Sequence, residues 1–170
     1  EAGTIKPRLE VFPFQTVAER LATEIAGQAV DKGLILRMVP TSALVHSDPV
    51  LLERLLRNLL VNALRYTQAG RILLGCRRQG GRLVVQVCDT GPGIPTDQLE
   101  RIFEDFFRGG AGGEDEGPRG LGLGLATVRR MSLLLDHPVT VRSVVGRGTV
   151  FSVSLPLAAA SFRNCVAAMH

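Results

Sequence analysis

The stretch GLGLGL, residues 120–125, alternates three glycines with three leucines. Alternation with a period of two is typical of a β-strand that has one apolar face. Glycine nevertheless weakens a strand, because it has no side chain to pack and loses much backbone entropy on folding. Something other than strand packing must therefore require bare backbone at these three positions.

The composition predicts one globular domain. The chain has 170 residues, of which 45% are hydrophobic and 21% are charged, and such values are typical of a packed core rather than of a disordered chain. The net charge is +4 and Trp is absent, but the basic residues are scattered and have no aromatic neighbours, so nucleic-acid binding has little support. Three cysteines without metal-ligand spacing argue against a metal cluster or a disulfide framework.

No apolar run of the sequence reaches the length of a membrane span. The chain starts at Glu1 without Met or a signal-peptide pattern. We therefore expect a cytoplasmic domain without direct membrane contact, cut from a longer protein that can itself be membrane-anchored. The expected boundaries are the end of a linker at 1–7, one domain at 8–156, and a tail or linker at 157–170.

Apolar periodicity predicts a mixture of strands and helices. Helices are expected at residues 15–31, 49–67, 97–103 and 126–136, and strands at 8–14, 34–39, 43–46, 71–78, 82–89, 139–145 and 149–155. Asp48 before Pro49 is a strong N-cap signal for the second helix. Because the elements do not alternate strictly, we predict an α+β fold in which helices cover one face of a sheet.

Two asparagines interrupt the leucine-rich helix predicted at residues 49–67. Asn58 and Asn62 stand four residues apart and share a face, which Arg65 and Tyr66 extend. An exposed polar face would explain a single Asn, but it explains two in a leucine-saturated segment less well. A neutral amide oxygen suits Mg²⁺ when phosphates already hold the ion.

Asp89 is the last residue on an otherwise apolar face of the strand predicted at 82–89. It shares one strand face with the residues at 83, 85 and 87, so its carboxylate is expected to be partly buried and to need a partner. Gly91 and Gly93 follow with Pro92 between them, and this tight turn lets a ligand approach the backbone. Capping of a turn is a common role for Asp, and the stretch alone leaves both interpretations open.

Five motifs then occur in a specific order: NLLVNALRYT (58–67), DTGPGI (89–94), FEDFFR (103–108), GLGLGLA (120–126) and GRGTVF (146–151). They resemble the N box, first glycine box, F box, second glycine box and last glycine motif of the ATP-binding catalytic domain of bacterial sensor histidine kinases. These kinases share a superfamily with the gyrase, heat-shock chaperone and mismatch-repair ATPases. The resemblance covers about residues 8–155. It implies the Bergerat-type fold, a two-layer α/β sandwich with a mixed, mostly antiparallel sheet.

The resemblance also explains the opening stretch. In this family the second glycine box is a phosphate loop that leads into a helix, whose N-terminal N–H groups face the triphosphate. A Cβ would hold the phosphates away, while leucines at 123 and 125 pack inward and anchor the loop. The nucleotide-binding positions implied here are Gly120, Leu121, Gly122, Leu123 and Gly124.

The remaining roles follow residue by residue from the same resemblance. Asn62 would ligate Mg²⁺, with Asn58 in the same metal and phosphate shell, and Arg65, in place of the commoner Lys, would reach the phosphates. Asp89 would accept a hydrogen bond from the adenine amine. Further nucleotide-binding residues would be Tyr66, Gly91, Gly93, Ile94, Phe103, Arg108, Arg119 and Thr149.

Residues 95–119 would form a lid over the nucleotide, and their glycine-rich part, 109–120, is expected to be mobile. Phe103, Phe106 and Phe107 would dock the lid, and Arg108 or Arg119 would touch phosphate. The phenylalanines at 106 and 107 are equally consistent with plain core packing.

Two departures from the family pattern matter. Leu121 stands where a small hydroxyl residue is common, and no phosphoacceptor helix is present. His46, His137 and His170 do not fit the acceptor pattern, in which an acidic residue follows the histidine within a helical pair. The resemblance therefore implies a domain that binds Mg-ATP and transfers its γ-phosphate to a histidine on a separate, dimeric helical domain of the same protein, upstream of a response regulator.

Alternatives remain within and outside this enzyme class. The gyrase-type ATPases carry a Glu one turn before the metal Asn, where it activates water, whereas Asn58 at that position cannot act as a base. An anti-sigma-type serine kinase is the second enzyme candidate. A degenerate module that binds only nucleotide or a partner is the non-enzyme candidate.

Overall fold

The computed structural model describes residues 4–104 and 124–158. In those ranges the helices are α1 (Phe14–Asp31), α2 (Pro49–Tyr66) and α3 (Gly124–Leu135), and a 3₁₀ turn covers Thr96–Gln98. The strands are β1 (Glu10–Pro13), β2 (Ile35–Met38), β3 (Leu44–Ser47), β4 (Arg71–Gln79), β5 (Arg82–Asp89), β6 (Val139–Val144) and β7 (Gly148–Pro156).

The main sheet has five strands in the order β2-β4-β5-β7-β6. β2 runs parallel to β4, and the other neighbours are antiparallel. Its inner face buries alternate residues, such as Leu83, Val85 and Phe151, in one core with the apolar sides of the helices. The predicted α+β sandwich, with a mixed and mostly antiparallel sheet covered by helices on one face, is confirmed.

The strands on either side of the turn at residues 40–42 go to different sheets. β2 pairs with β4, whereas β3 pairs antiparallel with β1, where Val11 stands opposite His46. This two-stranded ribbon sits beside the helices because Val45 of β3 is fully buried in the shared core. The two strands were each predicted, but their separate partners were not.

Helix α2 begins where the sequence predicts. The Asp48 carboxylate accepts hydrogen bonds from the N–H groups of Val50 and Leu51, both at 3.0 Å, and Pro49 occupies the first turn. Its other oxygen accepts the Arg8 N–H at 2.8 Å, which attaches the N-terminal segment to the helix start. The apolar side of α2 is buried in the core and consists of Leu51, Leu52, Leu55, Leu56, Leu59, Leu60, Ala63 and Leu64.

The prediction of a helix at residues 97–103 is wrong. The structure has the 3₁₀ turn Thr96–Gln98 and then turns whose hydrogen bonds span three residues, as from the Arg101 N–H to the Gln98 carbonyl and from the Glu104 N–H to the Arg101 carbonyl. The apolar residues of this short segment are drawn inward, and Ile102 is only 6% exposed. The segment therefore follows the surface of the core instead of propagating an α-helix.

Two observations complete the description. No helix in the described ranges is long and apolar enough to span a bilayer. Of the cysteines, Cys76 and Cys88 are free and half-buried, and Cys165 lies outside the described residues, as do the glycine-rich stretch 109–120 and most of the tail. The domain boundaries given above stay predictions.

Candidate functional site

A pocket of about 180 Å³ opens where the end of α2, the end of β5, the following loop and the start of α3 meet. Its walls come from parts of the chain that are distant in sequence. They are Asn62, Tyr66, Asp89, Pro92, Gly93, Ile94, Pro95, Gln98, Ile102, Leu125 and Thr149. Six of the positions predicted from the sequence are in this set.

Asp89 is the acidic residue of this pocket. It is the last residue of β5, and its Oδ1 accepts the Gly91 N–H at 2.9 Å. Burial raises the pKa of the Asp89 carboxyl, and hydrogen bonds from the backbone of Gly91 and Thr149 oppose that shift. Asp89 thus caps the turn and also lines the pocket, and its role in binding a ligand stays a prediction.

Gly91 lies at the closest approach between this turn and the end of α2. A Cβ at Gly91 would lie 2.9 Å from Asp89 Oδ1 and 3.2 Å from Thr67 Oγ1. Thr67 is fully buried, and its hydroxyl finds no hydrogen-bond partner among the described residues. A side chain at 91 would therefore displace the carboxylate from its position in the pocket.

Gly93 has a packing role that the sequence did not predict. Its φ is +77°, and a Cβ there would lie 2.4 Å from the Val144 carbonyl oxygen. The loop is further held against the β6–β7 hairpin, because the Ser143 hydroxyl accepts the Ile94 N–H at 2.7 Å. Ser143 also shares a 2.9 Å hydrogen bond with the Thr149 hydroxyl. The β6–β7 hairpin thus positions the loop that forms the pocket wall.

The helix residues separate into two groups. Asn62 and Tyr66 line the pocket, with Tyr66 46% exposed at its rim. Asn58 lies one turn earlier and outside the lining. Its Nδ2 donates to the Arg54 carbonyl at 3.0 Å, and its Oδ1 lies 3.9 Å from where a Cβ of Gly124 would be. The start of α3 therefore packs beside Asn58.

Arg65 is exposed and does not line the pocket. Its backbone carbonyl accepts a hydrogen bond from Lys32 Nζ at 3.3 Å, and the same ammonium binds the Leu64 carbonyl. Lys32, at the end of α1, thus caps the last turn of α2, where a cation is favourable. This contact fixes the backbone from which the Arg65 and Tyr66 side chains project.

Phe103 packs against the core and is not part of the lining. Its ring meets Phe151 edge to face, with centroids 6.2 Å apart and an angle of 85°. The other predicted positions in this region lie outside the described residues, namely Phe106, Phe107, Arg108, Arg119, Gly120, Leu121, Gly122 and Leu123.

Sequence reasoning missed several residues of the pocket and its support. They are Pro92, Pro95, Gln98, Ile102 and Leu125 in the lining, and Thr67 and Ser143 behind it. Pro92, Thr67 and Leu125 lie inside the recognised motifs and could have been included from their position there. Gln98, Ile102 and Ser143 carry no local signal.

Comparisons with known proteins all find histidine kinases and related ATPases similar to this chain. The profile of the family described as "Histidine kinase-, DNA gyrase B-, and HSP90-like ATPase" matches residues 47–159. Sensor histidine kinase RcsC of Escherichia coli K12 is 37% identical over 118 residues, 69% of this chain and 12% of that protein. Adaptive-response sensory kinase SasA of Crocosphaera subtropica is 36% identical over 162 residues, 91% of this chain and 42% of that protein. This chain thus spans less than half the length of either relative.

Solved structures agree in fold. Full-length ShkA in complex with AMPPNP superposes on 92% of this chain with a TM-score of 0.79 at 30% identity, and the match covers 33% of ShkA. The catalytic domain of the histidine kinase ThkA superposes on 88% of this chain and 97% of that domain with a TM-score of 0.72. At 21% identity the second likeness concerns the fold alone.

Proposed function

Because this chain belongs to the family of histidine kinase-, DNA gyrase B- and HSP90-like ATPases, we propose that it is the ATP-binding catalytic domain of a two-component sensor histidine kinase. The domain binds Mg-ATP and transfers the γ-phosphoryl group to a histidine on a separate helical domain of the same protein. The observation that supports this best is the Asp89 carboxylate, which lines the pocket and is oriented by the Gly91 N–H.

The adenine base occupies the pocket in this proposal. Asp89 accepts a hydrogen bond from the exocyclic amine, while Ile94, Ile102 and Leu125 supply apolar walls for the ring. Guanine presents a carbonyl oxygen at the corresponding position, and a carboxylate repels it. The half-buried setting strengthens both effects, since charged hydrogen bonds gain strength when water is excluded.

The phosphates extend towards the start of α3. Gly124 is its first residue, and the N–H groups of a helix start are suited to anions. Asn58 directs its Oδ1 to the same place because its Nδ2 is used by the Arg54 carbonyl. Arg65 projects from the exposed side of the last turn of α2 and supplies positive charge.

The donor set fits Mg²⁺ that arrives with the nucleotide. No group of three or more acidic, His or Cys residues in the described ranges could hold a metal ion alone. The amide oxygens of Asn58 and Asn62 are neutral, and Mg²⁺ characteristically combines few protein ligands with substrate phosphates. When bound, the ion neutralises charge on the phosphates during transfer.

Transfer to a protein group is favoured over hydrolysis. Asn58 stands one turn before Asn62, and an amide cannot take a proton from water. Phosphoryl transfer depends mainly on positioning and charge neutralisation. His137 is 1% exposed and shares a 2.7 Å hydrogen bond with Ser47, so it cannot serve as the acceptor. We place the acceptor on a dimeric helical domain of the same protein, and a response regulator receives the phosphoryl group afterwards.

The test uses radiolabelled ATP with and without that helical domain. This chain alone should bind Mg-ATP, incorporate almost no acid-labile phosphate and hydrolyse ATP slowly. Addition of the helical pair of the parent protein, or restoration of the full chain, should label a histidine on that pair. Rapid hydrolysis by the isolated chain would favour a gyrase-type ATPase, and phosphoserine on another protein would favour an anti-sigma-type kinase. ATP binding without transfer to the restored pair would identify a degenerate binding module.

A further inference from the structure

The face of the five-stranded sheet that points away from the helices is strongly basic. Five arginines alternate with inward-facing residues of their strands and so lie on this outer face: Arg37, Arg71, Arg77, Arg82 and Arg142. The five strands contain one acidic residue, Asp89, and it lies on the inner side. In the described ranges none of the five arginines forms a salt bridge.

This outer face contains a groove of about 360 Å³. Its walls include Arg77, Arg82 and Arg142, and its floor includes Gln86, Ser152 and Ser154. The Arg82 guanidinium is held in place, because its Nε donates to the Ser154 hydroxyl at 2.6 Å and an Nη donates to the Ser154 carbonyl at 2.9 Å. Of its five N–H groups, those not used by Ser154 are free to bind an anion.

The strand register gives the length of the groove. Arg77 is level with Val84 and Ser154, whereas Arg142 is level with Val150. The two arginines are thus three strand spacings and four residues apart, about 14 Å in each direction and about 20 Å on the diagonal. An extended segment of about six residues has this length.

We propose that this groove binds an acidic polypeptide segment in extended form, with carboxylates paired to Arg77, Arg82 and Arg142. Guanidinium groups match carboxylates in a bidentate geometry, and the serine and glutamine side chains of the floor offer neutral hydrogen bonds to a peptide backbone. Among the described residues, the strands present no aromatic side chain on this outer face on which bases could stack. A concave groove also admits a single chain more readily than it meets a planar bilayer. The site is separate from the nucleotide pocket, which lies on the inner side of the sheet.

The probe is fluorescein-labelled hexaglutamate, and binding to the complete chain is followed by fluorescence anisotropy at low ionic strength. Hexaglutamine with the same label should not bind. Arg77→Glu with Arg142→Glu should weaken hexaglutamate binding about tenfold or more, because two attractions become repulsions. The matched control, Arg54→Glu with Arg129→Glu, changes the charge equally on exposed positions of α2 and α3 and should weaken it less than about twofold.

Four further outcomes decide against the proposal or support it. Equal losses in the two double variants would show a general charge effect and overturn it. Displacement of the peptide by Mg-ADP would show that the peptide binds in the nucleotide pocket, and this result would also overturn the proposal. A single-stranded oligonucleotide or phosphatidylserine vesicles could bind more tightly than the peptide and lose this binding in the Arg77→Glu, Arg142→Glu variant. That result would identify a nucleic acid or a membrane as the partner and overturn the polypeptide proposal. In the unaltered chain, amide NMR shifts on titration should concentrate at Gln86, Ser152 and Ser154, and their absence there would refute the site without any variant.

Discussion

Replacement of Asp89 by Asn tests the nucleotide pocket most directly. Asn keeps an oxygen that can accept the Gly91 N–H, now at 2.9 Å, so the turn should survive. In the proposed complex the carboxylate oxygen that faces the adenine amine would become an amide NH₂ group, and a hydrogen bond to a charged acceptor would be lost. Such a bond contributes about 1.5–3 kcal/mol, which corresponds to about a ten- to more than a hundredfold rise in Kd for ADP.

Isothermal titration calorimetry with ADP and GDP measures this effect. The amide can donate to the guanine carbonyl, so Asp89→Asn should lose affinity for ADP without a matching loss for GDP. Asp97→Asn is the control, because it makes the same chemical change at an exposed position outside the pocket lining. An unchanged Kd for ADP in Asp89→Asn would remove Asp89 from the base pocket and refute the reasoning.

Four other outcomes are expected. Asn62→Ala should weaken binding of Mg-ATP strongly and of metal-free ATP little, and equal losses in titrations with and without Mg²⁺ would contradict a metal role. Gly91→Ala should destabilise the domain by about 1–3 kcal/mol in urea unfolding, because its Cβ would lie 2.9 Å from Asp89 Oδ1; a stability equal to that of the unaltered chain would disprove this clash. Asp48→Ala should cost about 1 kcal/mol through loss of the N-cap, and an unchanged urea midpoint would argue against the cap's importance. Burial raises the pKa of Asp89, so the folded state holds this proton more tightly than the unfolded chain does, and Asp89 lowers stability as pH rises above about 4. Asp89→Asn should therefore gain stability relative to the unaltered chain as pH rises above about 4, and parallel urea-unfolding profiles would exclude this contribution.

Much of the secondary structure was predictable because its signals are local. Asp48 and Pro49 mark the start of α2 through contacts within four residues, and the structure contains them. Both hairpins of the main sheet follow from apolar alternation around short glycine-containing turns. The helix prediction for residues 97–103 failed because the spacing of their apolar residues also suits a helix. Burial of Ile102 against the core decided the path of this segment.

The sequence by itself determined the chemistry of the site, namely two asparagines on one helix face and a carboxylate at the end of an apolar strand row. Only the tertiary structure decided how these groups are arranged. It placed Asn62 and Asp89 in one pocket, set Asn58 beside Gly124, and packed Gly93 against the Val144 carbonyl. It also paired β2 with β4 and β3 with β1. The physical reason is the sequence distance over which each interaction acts. Helix caps, turns and periodicity depend on neighbours along the chain. Strand partners and pocket walls depend instead on which distant surfaces can be buried together.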